Sequence, residues 1–166
     1  MSNAPLLVIE NLTKYFNTAA GQLHAVDGVS FSLEEGKTLG IVGESGCGKS
    51  TTGRCILKLI EPTSGKIIFQ GQDITKLSRK EMRPLRQKMQ MVFQTPTDSF
   101  DPRRTLGDGI GESLRNIGMS RKETRDEVER LLGKCGLPAD FADRYPHQVS
   151  GGQCQRAAIA RALAVK

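Results

Sequence analysis

Nine consecutive residues have the types and the spacing needed to hold a phosphate group. They are Gly43, Glu44, Ser45, Gly46, Cys47, Gly48, Lys49, Ser50 and Thr51. Together they fit G-x-x-x-x-G-K-[ST], the pattern of a phosphate-binding loop, or P-loop. Glycines let successive backbone N–H groups turn toward an anion, and a helix N-terminus adds partial positive charge. We expect Lys49 to reach the β- and γ-phosphates of a nucleotide and Ser50 to place its hydroxyl on Mg²⁺.

The flanking residues predict the elements that such a loop requires. Residues 38–42 are a short apolar run typical of a buried strand. Residues 52–60 predict a helix that ends before Pro62. A strand, a glycine loop and a helix in this order favour nucleotide binding over a glycine-rich turn that matches the pattern by chance.

Further strands are predicted on both sides of the loop. Residues 6–16 and 25–33 precede it, and the short turn between them suits antiparallel pairing. Residues 66–70 and 89–94 follow it as two more predicted strands.

Helices dominate the second half of the predicted structure. Residues 95–104 hold two prolines and predict a loop. The helix expected from Leu106 is weakened by three glycines within its first six residues. The other predicted helices are a short one that Ser78 caps and that breaks near Pro84, one that runs from the capping box of Ser120 and Glu123 to Cys135, and one at 154–165.

The bulk composition is that of a soluble globular protein. The 166 residues suffice for one domain with a core, and no apolar run approaches the ~20 residues of a membrane span. The first residues do not resemble a signal peptide, so we expect a cytoplasmic protein. The four cysteines have no metal-binding spacing and are expected to be free thiols. The net charge is +6, but the densest basic stretch, residues 79–88, lacks aromatics and indicates a solvated helical face.

A second turn of hydroxyl and glycine residues precedes the last helix. Its residues are Ser150, Gly151, Gly152 and Gln153. Such a turn is a possible anion site, although by itself it is more often a capped helix start. The phosphate loop upstream makes this turn more significant, because one nucleotide rarely needs two anion sites in the same domain. A site that completes a partner's nucleotide pocket would explain it.

With these motifs in order, the chain resembles the nucleotide-binding subunit of an ATP-binding-cassette (ABC) transporter, especially of the dipeptide/oligopeptide importer branch. The motifs that carry the resemblance are Gly43 to Thr51 (Walker A), Phe93-Gln94 (Q-loop), Ser99 to Arg103, Arg144 to His147, and Val149 to Gln153 with Gln155-Arg156 (signature motif). The resemblance implies an α/β P-loop NTPase, an ABC-type ATPase domain with antiparallel β segments and a helical subdomain, whose C-terminal third is missing here. It also implies a nucleotide-binding core at 1–94, a helical subdomain at 95–149 that docks on membrane subunits, and the signature motif with the start of its helix at 150–166.

The resemblance also implies roles for single residues. Phe16 would stack on adenine, with Tyr15 as the alternative and a plain core or strand aromatic as the other interpretation. Gln94 would touch Mg²⁺ and the attacking water, and would sense the transmembrane partner. The signature residues 150–153 would bind the γ-phosphate of ATP held by the other subunit.

The sequence departs from the family pattern at three places. Val149 replaces the usual leucine, and Cys154 stands where a basic residue is common. The third departure is at Lys166, where the family continues into the Walker B strand with its Mg²⁺-binding aspartate and catalytic glutamate. No catalytic residue is therefore assigned within this chain, and we expect the fragment alone to be inactive.

The complete protein is thus expected to bind ATP and Mg²⁺ and to hydrolyse ATP for the import of di- or oligopeptides. Its expected partners are a second ATP-binding subunit, identical or different, and transmembrane permease subunits on the inner face of the cell membrane. Nucleic acid is not an expected partner. The alternatives are a soluble ABC-type ATPase that acts on nucleic acid or ribosomes, and a non-catalytic nucleotide-binding fragment.

Overall fold

A computed structural model describes residues 5–95 and 99–165. The chain divides into two compact units, Met1–Arg86 and Gln87–Lys166. Each unit has its own set of buried apolar side chains. The division at residues 94 and 149 that the family resemblance implies stays a prediction.

The first unit is built on an antiparallel sheet of four strands in the order β2-β1-β3-β4. The predicted antiparallel pairing of the first two strands is confirmed, although both are longer than predicted. Residues on one face of the sheet are buried, and Ile9 lies opposite Ile67 in the register of β1 and β3. The strands are β1 (Leu7–Thr18), β2 (Gly21–Leu33), β3 (Ser64–Phe69) and β4 (Gln72–Asp73).

Two helices complete this unit. Helix α1 (Lys49–Ile56) contacts β1 and β2, and its Cys55 is fully buried. Helix α2 (Arg79–Leu85) begins at the predicted Ser78 cap, and it ends one residue after Pro84. Helix α1 ends earlier than predicted, because Lys58 has a left-handed backbone with φ of 52°. The buried ammonium group of Lys58 binds the Glu61 carboxylate and the Thr75 carbonyl oxygen.

The second unit is helical. Its helices are α3 (Leu106–Asn116), α4 (Arg121–Lys134) and α5 (Gly151–Leu163), with 3-10 turns at Ala139–Asp143 and Pro146–Gln148. The predicted capping box of Ser120 and Glu123 is confirmed, and the Ser120 hydrogen bonds lower the pKa of the Glu123 carboxyl. The apolar faces of the three helices meet in one core. Cys154 is buried in that core, so this position is part of the packing rather than an exposed site lacking a charge.

Two predicted strands are wrong. Residues 38–42 and 89–94 are irregular, because a strand requires a hydrogen-bonded strand beside it and the sheet of the described residues includes neither segment. Their apolar character predicted burial, yet Leu39 and Ile41 are about half exposed and Val42 is 96% exposed.

The predicted free thiols are confirmed for all four cysteines. Cys47 is exposed, Cys135 is half-buried, and Cys55 and Cys154 are buried. Within residues 5–95 and 99–165, no helix has both the length and the apolar character needed to span a membrane.

Candidate nucleotide-binding site

The phosphate loop approaches the sheet most closely at Gly48. Residues 43–48 run in an irregular path into α1, and Gly46 and Gly48 have φ values of 85° and 92°. A Cβ atom at Gly48 would lie 2.0 Å from the backbone oxygen of Ala25 in β2. Only glycine fits there, because the positive φ and the contact with a backbone atom both exclude a side chain. Sequence reasoning missed Ala25, since nothing local marks a contact between distant parts of the chain.

The Lys49 side chain is folded across this loop. Its Nζ donates hydrogen bonds to the carbonyl oxygens of Gly43 at 2.8 Å and Glu44 at 2.6 Å, and lies 3.3 Å from Cys47 Sγ. The ammonium group is therefore held among the backbone groups of the loop, in the region where the motif predicts phosphates.

Helix α1 begins without a side-chain cap. Its N-cap is Gly48, and its first backbone bond runs from the Thr52 N–H to the Gly48 carbonyl oxygen at 2.8 Å. The other four α-helices of the described residues each begin with a serine or threonine whose side chain accepts a backbone N–H. The first N–H groups of α1 thus remain available as donors to an anion.

The same helix start suits a nucleotide-bound Mg²⁺ ion. Ser50 is exposed in the first turn of α1, and its hydroxyl makes no hydrogen bond to any described residue. The described residues hold no cluster of three or more His, Cys, Asp or Glu side chains that could bind a metal. A hydroxyl beside phosphate oxygens fits Mg²⁺, which takes few protein ligands and is often held through substrate phosphates.

Of the two neighbouring aromatics in β1, Phe16 keeps an open ring. It is 36% exposed, and the Lys14 ammonium lies 4.9 Å from its centroid. Tyr15 instead stacks on His24 at 3.9 Å. Its hydroxyl donates to Asp27 Oδ1 at 2.5 Å, and this hydrogen bond raises the pKa of Tyr15. The geometry therefore favours Phe16 over Tyr15 as the base-stacking side chain, although the role itself stays a prediction.

Lys14 lies over the Phe16 ring and near helix α1. Burial raises the pKa of the Cys55 thiol in α1, and the positive charge of Lys14 acts in the opposite direction. Lys14 is thus close both to the Phe16 ring and to the helix that follows the loop. Lys14 is half-buried in β1, and no local pattern in the sequence distinguishes it.

The signature residues form the start of α5. Ser150 Oγ accepts the Gln153 N–H at 3.3 Å, and the Ser150 N–H donates to Gln153 Oε1 at 2.8 Å. Gly151 and Gly152 are exposed in the first turn, and a Cβ on either would meet nothing within 4 Å. The turn is therefore a capped helix start with an open glycine surface.

Gln94 lies in the irregular segment before residue 95 and is exposed. It belongs to the second compact unit, whereas Ser50 belongs to the first. The predicted contact of both side chains with one Mg²⁺ ion stays a prediction.

The sequence is similar to two oligopeptide transport ATP-binding proteins of Bacillus subtilis strain 168. It is 50% identical to AppF over 167 residues, which cover 95% of this chain and 51% of AppF. It is 48% identical to OppF over 163 residues, which cover 96% of this chain and 53% of OppF. The chain therefore spans about half the length of the curated relatives it matches.

The fold is similar to those of two solved structures. The ATP-binding cassette MJ0796, solved as a dimer in a post-hydrolysis state with ADP and Pi, matches with a TM-score of 0.85 and 32% identity over 95% of this chain and 69% of that one. The protein cbiO1 of Clostridium perfringens, part of the cbiONQ transporter complex, matches with a TM-score of 0.76 and 29% identity over 97% of this chain and 62% of that one. Residues 26–166 match the family described as ABC transporter. The chain, with its glycine loop, uncapped α1 and glycine-rich start of α5, belongs to the ABC transporter family.

Proposed function

We propose that this chain binds ATP and Mg²⁺ through residues 43–51 and is the nucleotide-binding part of a subunit that drives the import of di- or oligopeptides. One observation carries the nucleotide site: the uncapped start of α1, with the Lys49 ammonium held inside the glycine loop. The relatives AppF and OppF, which are named oligopeptide transport ATP-binding proteins, support the peptide cargo.

The residues of the loop bind the phosphates in this proposal. Backbone N–H groups of the loop and of the first turn of α1 donate to phosphate oxygens, and Lys49 exchanges its two carbonyl partners for the β- and γ-phosphate oxygens. Ser50 would hold Mg²⁺, with Gln94 as the further ligand that the family resemblance implies, and the ion would supply positive charge against the charge that grows on those oxygens. Phe16 stacks on the adenine base.

The signature residues act on a second nucleotide. Ser150, Gly151, Gly152 and Gln153 meet the γ-phosphate of ATP held by a second subunit, identical or different. The open glycine surface of α5 supports this, and so does the dimeric state of the related MJ0796 cassette. Residues 95–149 dock on permease subunits, which places the protein on the cytoplasmic inner face of the membrane. No carboxylate within residues 1–166 is assigned to orient the attacking water, so we propose that this chain alone does not turn over ATP.

The substitution Lys49→Ala tests the nucleotide site. Titration with a fluorescent ATP analogue should show affinity at least about tenfold weaker, because a hydrogen bond to a charged group contributes ~1.5–3 kcal/mol. The fold should persist, since the contacts of Lys49 lie within the loop itself. Lys66→Ala is the matched control, because Lys66 is an exposed lysine of β3 whose nearest carboxylate, Glu10, is 4.0 Å away. Unchanged affinity in Lys49→Ala would contradict the proposal.

A further inference from the structure

The helical unit contains a cavity of about 420 Å³ at helices α3 and α4. All of its lining residues belong to the Gln87–Lys166 unit, and the nucleotide site proposed above uses none of them. Its lining includes four arginines, one carboxylate and one buried threonine, namely Arg104, Arg115, Arg121, Arg125, Asp108 and Thr124.

Two of the four arginines are paired with carboxylates. Arg125 binds Asp143 through two hydrogen bonds of 2.5 and 2.8 Å, and it also binds Glu129. Arg104 lies 4.0 Å from a carboxylate oxygen of Glu112. These two guanidinium groups are therefore balanced by carboxylates of the protein itself.

The other two arginines lack such balance. Arg115 donates from Nη2 to the backbone carbonyl oxygen of Asp108 at 2.8 Å, which is a neutral group. Arg121 makes no hydrogen bond or ion pair with any residue in the described part of the chain. It occupies the first position of α4, where the helix dipole disfavours a positive charge. Two unbalanced guanidinium groups thus line the cavity together with one carboxylate, Asp108.

Gly111 brings the two helices together at this cavity. A Cβ atom there would lie 2.6 Å from Thr124 Cγ2 and 2.8 Å from Arg115 Nη1. The absence of a side chain at Gly111 therefore allows the Arg115 guanidinium to lie beside Thr124, across the contact of α3 and α4.

Besides the two arginines, the side chain of Thr124 also indicates a ligand. Its side chain lines the cavity, the residue is 4% exposed, and its Oγ1 has no hydrogen-bond partner among the described residues. Buried polar groups are nearly always paired, and a threonine inside a helix can bond the carbonyl four residues before it. Here that bond is not made, which leaves the buried hydroxyl of a lining residue without a partner in the described part of the chain.

We propose that this cavity binds a small soluble molecule that carries a phosphate or pyrophosphate group. The planar guanidinium group matches the oxygens of a phosphate, and Arg115 and Arg121 supply two such groups from different helices. Thr124 belongs to the same lining, and its hydroxyl has no partner among the described residues. The cavity volume lies in the range of small-molecule sites rather than that of a single water.

Pyrophosphate is the probe, and calorimetric titration of the whole chain is the measurement. All variants carry Lys49→Ala, which weakens phosphate binding at the P-loop equally in each of them, so that differences between the variants report on this cavity. Arg115→Gln and Arg121→Gln should each weaken pyrophosphate binding at least about tenfold, the effect of losing a charge-assisted hydrogen bond. Lys122→Gln is the matched control, since it removes the same charge from the next, exposed residue outside the lining, and it should change affinity less than about twofold.

Thr124→Val keeps the shape of the side chain and removes the hydroxyl. Because that hydroxyl has no protein partner, the variant should melt no lower than its parent while binding pyrophosphate more weakly. Absence of pyrophosphate binding in the Lys49→Ala parent, or equal binding by Arg121→Gln and Lys122→Gln, would overturn the proposal. So would stronger binding to phosphatidylglycerol vesicles or to a polyglutamate peptide than to pyrophosphate, since the occupant would then be a membrane or an acidic protein segment.

Discussion

At the scale of single residues, Gly48 couples the phosphate loop to the sheet. The substitution Gly48→Ala should lower the free energy of unfolding and abolish nucleotide binding, because its Cβ would lie 2.0 Å from the Ala25 oxygen in addition to the positive φ. Gly36→Ala is the control, since Gly36 has φ of 73° but open space around a Cβ, so it should cost only the ~1–2 kcal/mol of a left-handed residue. Urea unfolding and titration with an ATP analogue measure the two effects. Equal destabilisation of both variants with binding retained would show that the contact with Ala25 can relax.

Cys47 offers a chemical probe of the same loop. It is exposed, whereas Cys55 and Cys154 are buried and burial raises the pKa of both thiols, which lowers their reactive thiolate fraction. We expect an alkylating reagent to label Cys47 first, to block nucleotide binding through the added bulk, and to act more slowly in the presence of MgATP. Mass spectrometry at each cysteine provides the measurement, with the buried thiols as internal controls. Equal labelling rates of Cys47 with and without MgATP would count against nucleotide binding at this loop.

At the scale of elements, the capped starts of α4 and α5 share one geometry but differ in their proposed roles. Ser120 and Ser150 cap α4 and α5 with the same geometry, each accepting a backbone N–H at 3.3 Å. Ser120→Ala and Ser150→Ala should therefore each lower the free energy of unfolding by about 1 kcal/mol. Only Ser150→Ala should also weaken ATP-dependent dimerisation, measured by sedimentation. If both variants dimerise equally well, the role of the signature residues is confined to capping.

The glycines of α3 show how packing overrides helix propensity. Gly107, Gly109 and Gly111 weakened the predicted helix, yet α3 forms across all three. A Cβ at each position would lie 2.6 Å from a neighbouring atom, in Ala142, Phe100 and Thr124 respectively. The glycines are therefore sites of close contact, and burial of the apolar face of α3 offsets their low propensity.

At the scale of the whole molecule, the unpaired segment before the P-loop is exposed. Val42 is almost fully accessible, and Leu39 and Ile41 are about half accessible. We predict that a version extended by about the length its relatives add will melt higher, bind ATP more tightly and release phosphate, because added strands can pair this segment and supply a carboxylate. Pairing such a strand contributes several kcal/mol to the free energy of unfolding, whose typical total is ~5–15 kcal/mol. Thermal melting and steady-state phosphate release compare the two, and equal values would mean that residues 1–166 hold catalytic groups of their own.

Local sequence patterns predicted the features that depend on consecutive residues. Local chemistry and short turns specify three of these features. They are the glycine loop, the capping box of Ser120 and Glu123, and the antiparallel pairing of β1 and β2. The motifs in their order also predicted membership of the ABC transporter family. The match of residues 26–166 to that family confirms this prediction.

Features that depend on contacts between distant residues are visible only in the folded chain. The segments 38–42 and 89–94 have the apolar character of strands but are not part of the sheet of the described residues. Phe16 is exposed beside Lys14, whereas Tyr15 is engaged by His24 and Asp27. The arginine-lined cavity joins side chains from separate helices, and no spacing in the sequence marks it. Each of these outcomes is set by which surfaces meet once the chain is folded, and local pattern does not encode that.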